Sequence, residues 1–397
     1  MNQHAHLWPT EPTKPFWRPD DIDVAGGWVA GFLPAPSGRP DGEVEAPVTA
    51  LERAILPALL RGPCLVAFSG GRDSSLVLAV AAGLARREGL ALPIPITKRY
   101  PNVASTDESS WQHMVIDHLG LREWLILDYT AETDLLGPST KDSLSRYGVL
   151  WPPMAHTSAT MLGHAAGGSL LTGEGGDSWF GAHRSTPLAV VFRHPRRANR
   201  AWTGRAARSA IPLQLRRRSI VACAQGRVGD WVRPEAREQV VRRMVDDEMS
   251  ASIWWRRSVG RLPRMKAIQM GSRNRHALAS RWGVQYVDPI YSAGFTRALR
   301  QAGGLFGFSA RTELMIALFS DFLPDQVLRR KDKVAFNEVA FGPGVKAFVD
   351  SWDGHGVDEH LVDTDRLQRS WAAAEMDART FMLLHQTWLA SGAGGSA

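Results

Sequence analysis

The stretch that most constrains the fold is Cys64-Leu-Val-Ala-Phe-Ser-Gly-Gly-Arg-Asp-Ser-Ser75. The apolar run Cys64 to Phe68 breaks into glycines and hydroxyls, and Leu76, Val77, Val80 and Leu84 then recur at helical spacing. A short unalternating apolar run bounded by glycine predicts a buried parallel strand, and the recurrence predicts a helix directly after it. The turn between them lets a ligand approach over glycine and presents the free N–H groups of a helix start. Ser69, Gly70, Gly71, Ser74 and Ser75 are therefore suited to hold phosphate oxygens. An acid inside a phosphate cradle makes sense with a cation between the two, so Asp73 is a candidate Mg²⁺ ligand. No Gly-Lys-Ser/Thr follows the glycines, which excludes the P-loop of the common NTPases. The plain alternative is a glycine-rich turn that holds nothing.

Further strands are predicted at Ala91–Thr97, Glu123–Leu127 and Ser169–Thr172, with helices from Ala46 to Leu60, around Trp111, Met114, Val115 and His118, and from Met154 to Ala166. Ser105-Thr-Asp-Glu108 fits a capping box at the start of the second helix of this unit. Strands alternating with helices predict an α/β unit with a parallel sheet, in which ligands sit beyond the carboxyl ends of the strands. The fourth strand runs into Gly173-Glu-Gly-Gly-Asp-Ser-Trp-Phe-Gly181. Asp177 is a candidate second ligand to the Mg²⁺ at Asp73, and Glu174 is placed to point into the same cleft. Both acids also have a purely structural reading, since Asp and Glu are common in turns and at helix starts.

The first loop resembles the Ser-Gly-Gly-X-Asp-Ser signature of the PP-loop (N-type) ATP pyrophosphatases. Taken with the second motif about a hundred residues later, it resembles the synthetase domain of the asparagine synthase family, whose second signature is Gly-Glu-Gly-X-Asp-Glu-Leu-Phe-Gly-Gly-Tyr. Gly283-Val-Gln-Tyr-Val-Asp-Pro-Ile-Tyr291 resembles the family's Gly-Val-Glu-X-Arg-X-Pro-Phe-Leu-Asp turn, with Ser292 where an acid is usual. Leu323-Pro to Phe336 resembles its Leu-Pro…Arg-X-Lys-X-X-Phe loop, and alignment on Phe336 picks out Lys333 ahead of Lys331. The resemblance covers about residues 46–340 and implies a PP-loop (adenine nucleotide α-hydrolase-like) parallel sheet flanked by helices, with a largely helical C-terminal portion. It implies that Ser69–Ser75 grip the phosphates of ATP, that Asp73 and Asp177 hold Mg²⁺–pyrophosphate, and that Gly173 approaches the adenosine. It implies catalytic roles for Glu174, near an acyl-adenylate, and for Lys333, whose charge would offset that developing on the phosphate. Solvated charges on an exposed loop are the alternative reading of Lys331 and Lys333. Ser178, Trp179 and Ala182 depart from the family pattern, so a pocket reshaped for another substrate is expected beside the second loop.

Composition narrows the rest. Cys64 and Cys223 are the only cysteines among 397 residues, and with no apolar start or long apolar run the chain is expected to be cytoplasmic. From Arg193 to Arg281 the balance is +16, whereas everything else carries −9, so an anionic partner or a solvated arginine-rich surface is expected. The expected division is an irregular N-terminal arm or short β element over 1–45, an ATP-binding core over 46–192 and a helical, arginine-rich portion over 193–397. No Cys precedes Cys64 and residue 2 is Asn, so no glutaminase activity is expected. The resemblance extends to β-lactam synthetases and lasso-peptide macrolactam synthetases, which join a carboxylate to an amine of the same molecule. The expected function is an AMP-forming amide synthetase for a peptide or specialised metabolite. Its expected partners are ATP, Mg²⁺, a carboxylate- and amine-bearing substrate such as a precursor peptide, and a protein of the same pathway. Neither membrane nor nucleic acid is expected. The alternatives are a PP-loop enzyme acting on tRNA and a non-catalytic nucleotide-binding partner.

Overall fold

The computed structural model describes residues 16–34, 45–331, 338–373 and 375–392. The first half runs α1 (Asp21–Gly26), α2 (Pro47–Leu59), β1 (Cys64–Ala67), α3 (Arg72–Glu88), β2 (Ile94–Arg99), α4 (Ser109–Leu119), β3 (Leu125–Asp128), α5 (Pro138–Tyr147), α6 (Ala159–His164), β4 (Ser169–Leu171) and α7 (Gly176–Trp179). It continues through α8 (Thr186–Arg193), α9 (Arg200–Ala210), α10 (Leu213–Gln225), α11 (Pro234–Met249), α12 (Trp255–Arg261), α13 (Lys266–Ser280), β5 (Gln285–Val287) and α14 (Ala293–Ala302). The end of the chain adds α15 (Arg311–Phe319), α16 (Asp325–Arg329), α17 (Pro343–Ser351), α18 (Thr364–Trp371) and α19 (Phe381–Ala390).

All five strands are parallel, in the order β3-β2-β1-β4-β5. This is the α/β sheet expected of a PP-loop synthetase fold. The chain steps outward from β1 to β3 and then returns to lay β4 on the other side of β1. That reversal places a topological switch point at the carboxyl ends of β1 and β4, where such sheets bind ligands.

Side chains alternate across the strands, and both faces are covered. Cys64, Val66 and Leu171 enter the core made with α2, α3, α14 and α15, whereas Leu65 and Leu170 enter the opposite core with Leu162 of α6 and Leu278 of α13. Leu76, Val77, Val80 and Leu84 are all buried, as their spacing predicts. β5 was read from sequence as part of a turn. Its half-buried residues Gln285, Tyr286 and Val287 pair with Ser169, Leu170 and Leu171 and close the sheet.

The stretch before α2 was read as an irregular arm, and its described part contains a helix. Asp20 caps α1 by accepting from the Asp23 N–H at 2.9 Å, and the buried Asp23 carboxylate is held by Arg243 at 2.8 Å and Lys266 at 2.7 Å. Asn274 of α13 clamps the same stretch, bonding Trp17 through both its amide N–H and its carbonyl. Six residues are too few for a helical period to show in sequence.

His156 and His385 are wholly buried where α19 meets the segment before α6, with ring centroids 5.2 Å apart. Burial pushes both imidazoles down, His385 to about 4. A neutral buried histidine contributes stability that is complete above the unfolded value near 6.5 and is lost as pH falls toward 4. For His385 this amounts to about 3 kcal/mol. The urea midpoint is expected to drop between pH 6.5 and 4, and His385→Gln to flatten that slope.

Candidate active site

Both glycine-and-acid loops lie at the switch point. Ser69–Gly71 leave β1 and lead into α3, whose first turn holds Asp73, and Thr172–Gly175 leave β4 and lead into α7, which holds Asp177. The loops touch through their backbones. A Cβ on Gly173 would stand 2.6 Å from the Ser74 nitrogen and 2.8 Å from the Asp73 carbonyl carbon, and one on Gly176 would overlap the Asp73 carboxylate. Only glycine fits at either point. Gly173→Ala is expected to force the loops apart, lowering the melting temperature and weakening ATP binding about tenfold. Isothermal titration with ATP checks this.

Inside the first loop, Ser69 and Ser74 hydroxyls lie 3.1 Å apart, and the Gly71 N–H donates to the Ser69 hydroxyl at 3.3 Å. Ser69, Gly71, Asp73 and Ser74 line a cleft of about 590 Å³ together with Gly173, Glu174 and Asp177. Seven of the residues singled out from sequence are thus brought to one wall. Ser75 is not with them: it is wholly buried, and its hydroxyl has no hydrogen-bond partner among the described residues. Gly70 is buried and does not line the cleft, its carbonyl accepting from Arg330 at 3.2 Å. Lys333 lies outside the described residues, while Lys331 lines the cleft.

The Asp73 and Asp177 carboxylates converge on one cation. Arg311 donates to Asp177 at 2.8 Å and, through its other terminal nitrogen, to Asp73. Burial pushes the Asp73 carboxyl up, against the pull of the Arg311 guanidinium. Desolvation works against the Arg311 charge, but the two carboxylates outweigh it and hold the guanidinium above its ordinary value. Two carboxylates that meet on a single cationic group, one of them overlain by a glycine, fit a Mg²⁺ ion. Such an ion takes one or two protein carboxylates and completes its shell from phosphates and water. Among the described residues no set of three or more His, Cys, Asp or Glu side chains gathers to hold a metal.

Of the other charged side chains in the cleft, Lys331 was weighed in sequence beside Lys333, whereas Arg311 and Arg330 had no local signal. Arg72, Arg311, Arg330 and Lys331 surround the phosphate loop, a concentration of positive charge matched to a polyphosphate. The capping-box reading of Glu108 is corrected: Asp107 accepts from the Ser109 N–H at 2.9 Å, and Glu108 is buried in a two-pronged ion pair with Arg330. That pair ties the start of α4 to the segment after α16. Lys98 stands where the cleft meets a side recess of about 220 Å³, its ammonium over the Tyr129 ring and lowered to about 8 by burial.

Beyond Glu174 the cleft opens on an apolar wall of Pro152, Met154, Met161 and Leu162 and a polar floor of Arg275, Tyr286 and Tyr291. Arg275 lies 3.9 Å from Glu174 and 3.8 Å from Asp288. Asp288 is fixed in turn by the Thr172 hydroxyl. Trp179, one of the departures from the family pattern, is fully buried. It donates to Thr296 at 3.0 Å and packs on Tyr291, so it shapes this floor from beneath.

The asparagine synthase family model matches residues 51–288, which takes in both loops and all five strands. The chain belongs to the asparagine synthase family. Membership points to ATP-dependent amide or carbon–nitrogen ligation, chemistry that uses ATP, usually with Mg²⁺. The match ends before Leu323–Phe336, so Lys333 rests on the resemblance of that loop alone. No curated protein matches the chain. Among the described residues no helix is long and apolar enough to cross a membrane.

Proposed function

We propose that this family member is an AMP-forming amide synthetase that adenylates a carboxylate and couples it to an amine. The observation that carries the reading is the convergence of Asp73 and Asp177 on one cationic position, at the switch point and beside the start of α3. In this reading Ser69–Ser74 and Gly173 bind ATP, residues 46–192 form the nucleotide core, and the portion after 193 supplies Arg311 and Lys333. Asp73 and Asp177 would hold Mg²⁺, which would supply positive charge against the phosphates.

A substrate carboxylate oxygen attacks the α phosphorus, and the bond from that phosphorus to the bridging oxygen breaks to release pyrophosphate. Arg311, Lys333 and the loop N–H groups stabilise the departing charge. An amine then attacks the acyl carbon, AMP leaves, and Glu174 takes the proton. Holding acid and amine side by side supplies much of the rate. The apolar wall and the reshaped floor over Trp179 support a substrate larger than a free amino acid, such as a precursor peptide closed into a macrolactam, in specialised-metabolite biosynthesis.

The test is turnover of α-³²P-labelled ATP with a pool of Asp- and Glu-containing peptides, using hydroxylamine to trap the acyl-adenylate. AMP and hydroxamate are expected. ADP as the product overturns the reading, and no turnover with any carboxylate makes the chain a nucleotide-binding partner instead.

A further inference from the structure

The segment Ala182–Gly229 holds eleven arginines and no Asp, Glu or Lys. It folds as α8, α9 and α10, and none of its described residues lines the nucleotide cleft. Among its described side chains, the one arginine–carboxylate ion pair is Arg193 with Glu313 at 3.3 Å. Arg184 turns inward to the carbonyls of Ser209, Ala251 and Ile211, whereas Arg205, Arg208, Arg217 and Arg218 are exposed. These exposed guanidinium groups give the segment a strong positive charge that an anion would relieve.

Apolar side chains stand open on the same segment. Phe192 is 70% exposed and Leu215 78%, with Ile211 at 41%. Phe192 continues into Phe306, ring centroids 5.8 Å apart, and Phe306 stacks on Trp254. Exposed apolar groups among unpaired charges mark an interaction surface rather than a solvated face.

We propose that α8–α10 form a docking surface for an acidic amphipathic peptide segment, whose carboxylates meet the arginines while its aliphatic or aromatic side chains cover Phe192, Ile211 and Leu215. Charge complementarity fixes the sign of the partner. The apolar groups favour a peptide over a nucleic acid. Two of the residues left open, Ile211 and Leu215, are aliphatic and offer no ring for a base. The Trp202 ring is capped by Arg205 at 5.0 Å, and Trp254 lies against Phe306.

The test is fluorescence anisotropy in 150 mM salt with three labelled probes: a glutamate–tyrosine copolymer, polyglutamate and poly(U). The copolymer is expected to bind at least fivefold tighter than polyglutamate. Arg208→Glu/Arg217→Glu/Arg218→Glu weakens both peptides more than tenfold. Phe192→Ser/Leu215→Ser brings the copolymer down to the polyglutamate level without changing polyglutamate itself. Circular dichroism and ATP affinity stay unchanged in both variants, which separates this site from the nucleotide cleft. Poly(U) binding as tightly as the copolymer, or equal binding of the two peptides with the apolar substitutions silent, overturns the proposal.

Discussion

Asp73→Asn and Asp177→Asn each lower AMP formation by about 10³-fold or more while the circular dichroism spectrum is retained. Asparagine keeps the shape and loses the charge, so the site that gathers two carboxylates on one cation is left with one. The two sites differ in burial. Asp73 is largely enclosed and pairs with Arg311 at the start of α3, whereas Asp177 is 61% exposed at the side chain. Burial disfavours the enclosed charge more than Arg311 supports it, so removing it leaves the melting temperature unchanged or slightly raised, and removing the exposed one changes it little. Equal loss of activity with no loss of melting temperature is the expected signature. If either variant retains near-parental turnover, the metal assignment is wrong.

Lys333→Ala lowers turnover about 10²- to 10³-fold, as removal of a fixed charge facing a developing anion does, while the KM for ATP moves less than about threefold. Lys331→Ala, the neighbouring choice, changes turnover by less than about threefold and acts instead on the KM for ATP, because its exposed side chain at the cleft supplies a screened charge to the bound phosphates. Steady-state kinetics on the pair decide between them. The reverse ranking would move the catalytic role to Lys331 and shift the reading of the Leu323–Phe336 loop by two positions.

β1, β4 and both loops were legible in sequence because each couples an apolar run to a glycine-and-acid turn within a dozen residues, and β2 and β3 were read from short apolar runs alone. Cys64–Ala67 and Ser169–Leu171 needed no knowledge of their partners. β5 was not legible: three half-buried residues show neither alternation nor an apolar run, and they become a strand only by pairing with β4. Glu108 was misread for a related reason. Its spacing from Ser105 satisfies a local rule, but its partner is Arg330, 222 residues away. Arg311 had no local mark at all among the arginines of the chain. Its place at the centre of the site comes from bonds spanning 134 residues to Asp177 and 238 to Asp73. Motifs carried by one loop are thus readable singly, while charges delivered from the far end of the chain are not.

The most direct measurement is a crystal structure with Mg²⁺ and α,β-methylene-ATP, which resists cleavage at the bond in question. The account predicts the triphosphate lying along Ser69–Ser74, with the metal between the β and γ phosphates and the carboxylates of Asp73 and Asp177. A nucleotide seated elsewhere, or a metal held without either carboxylate, would contradict it.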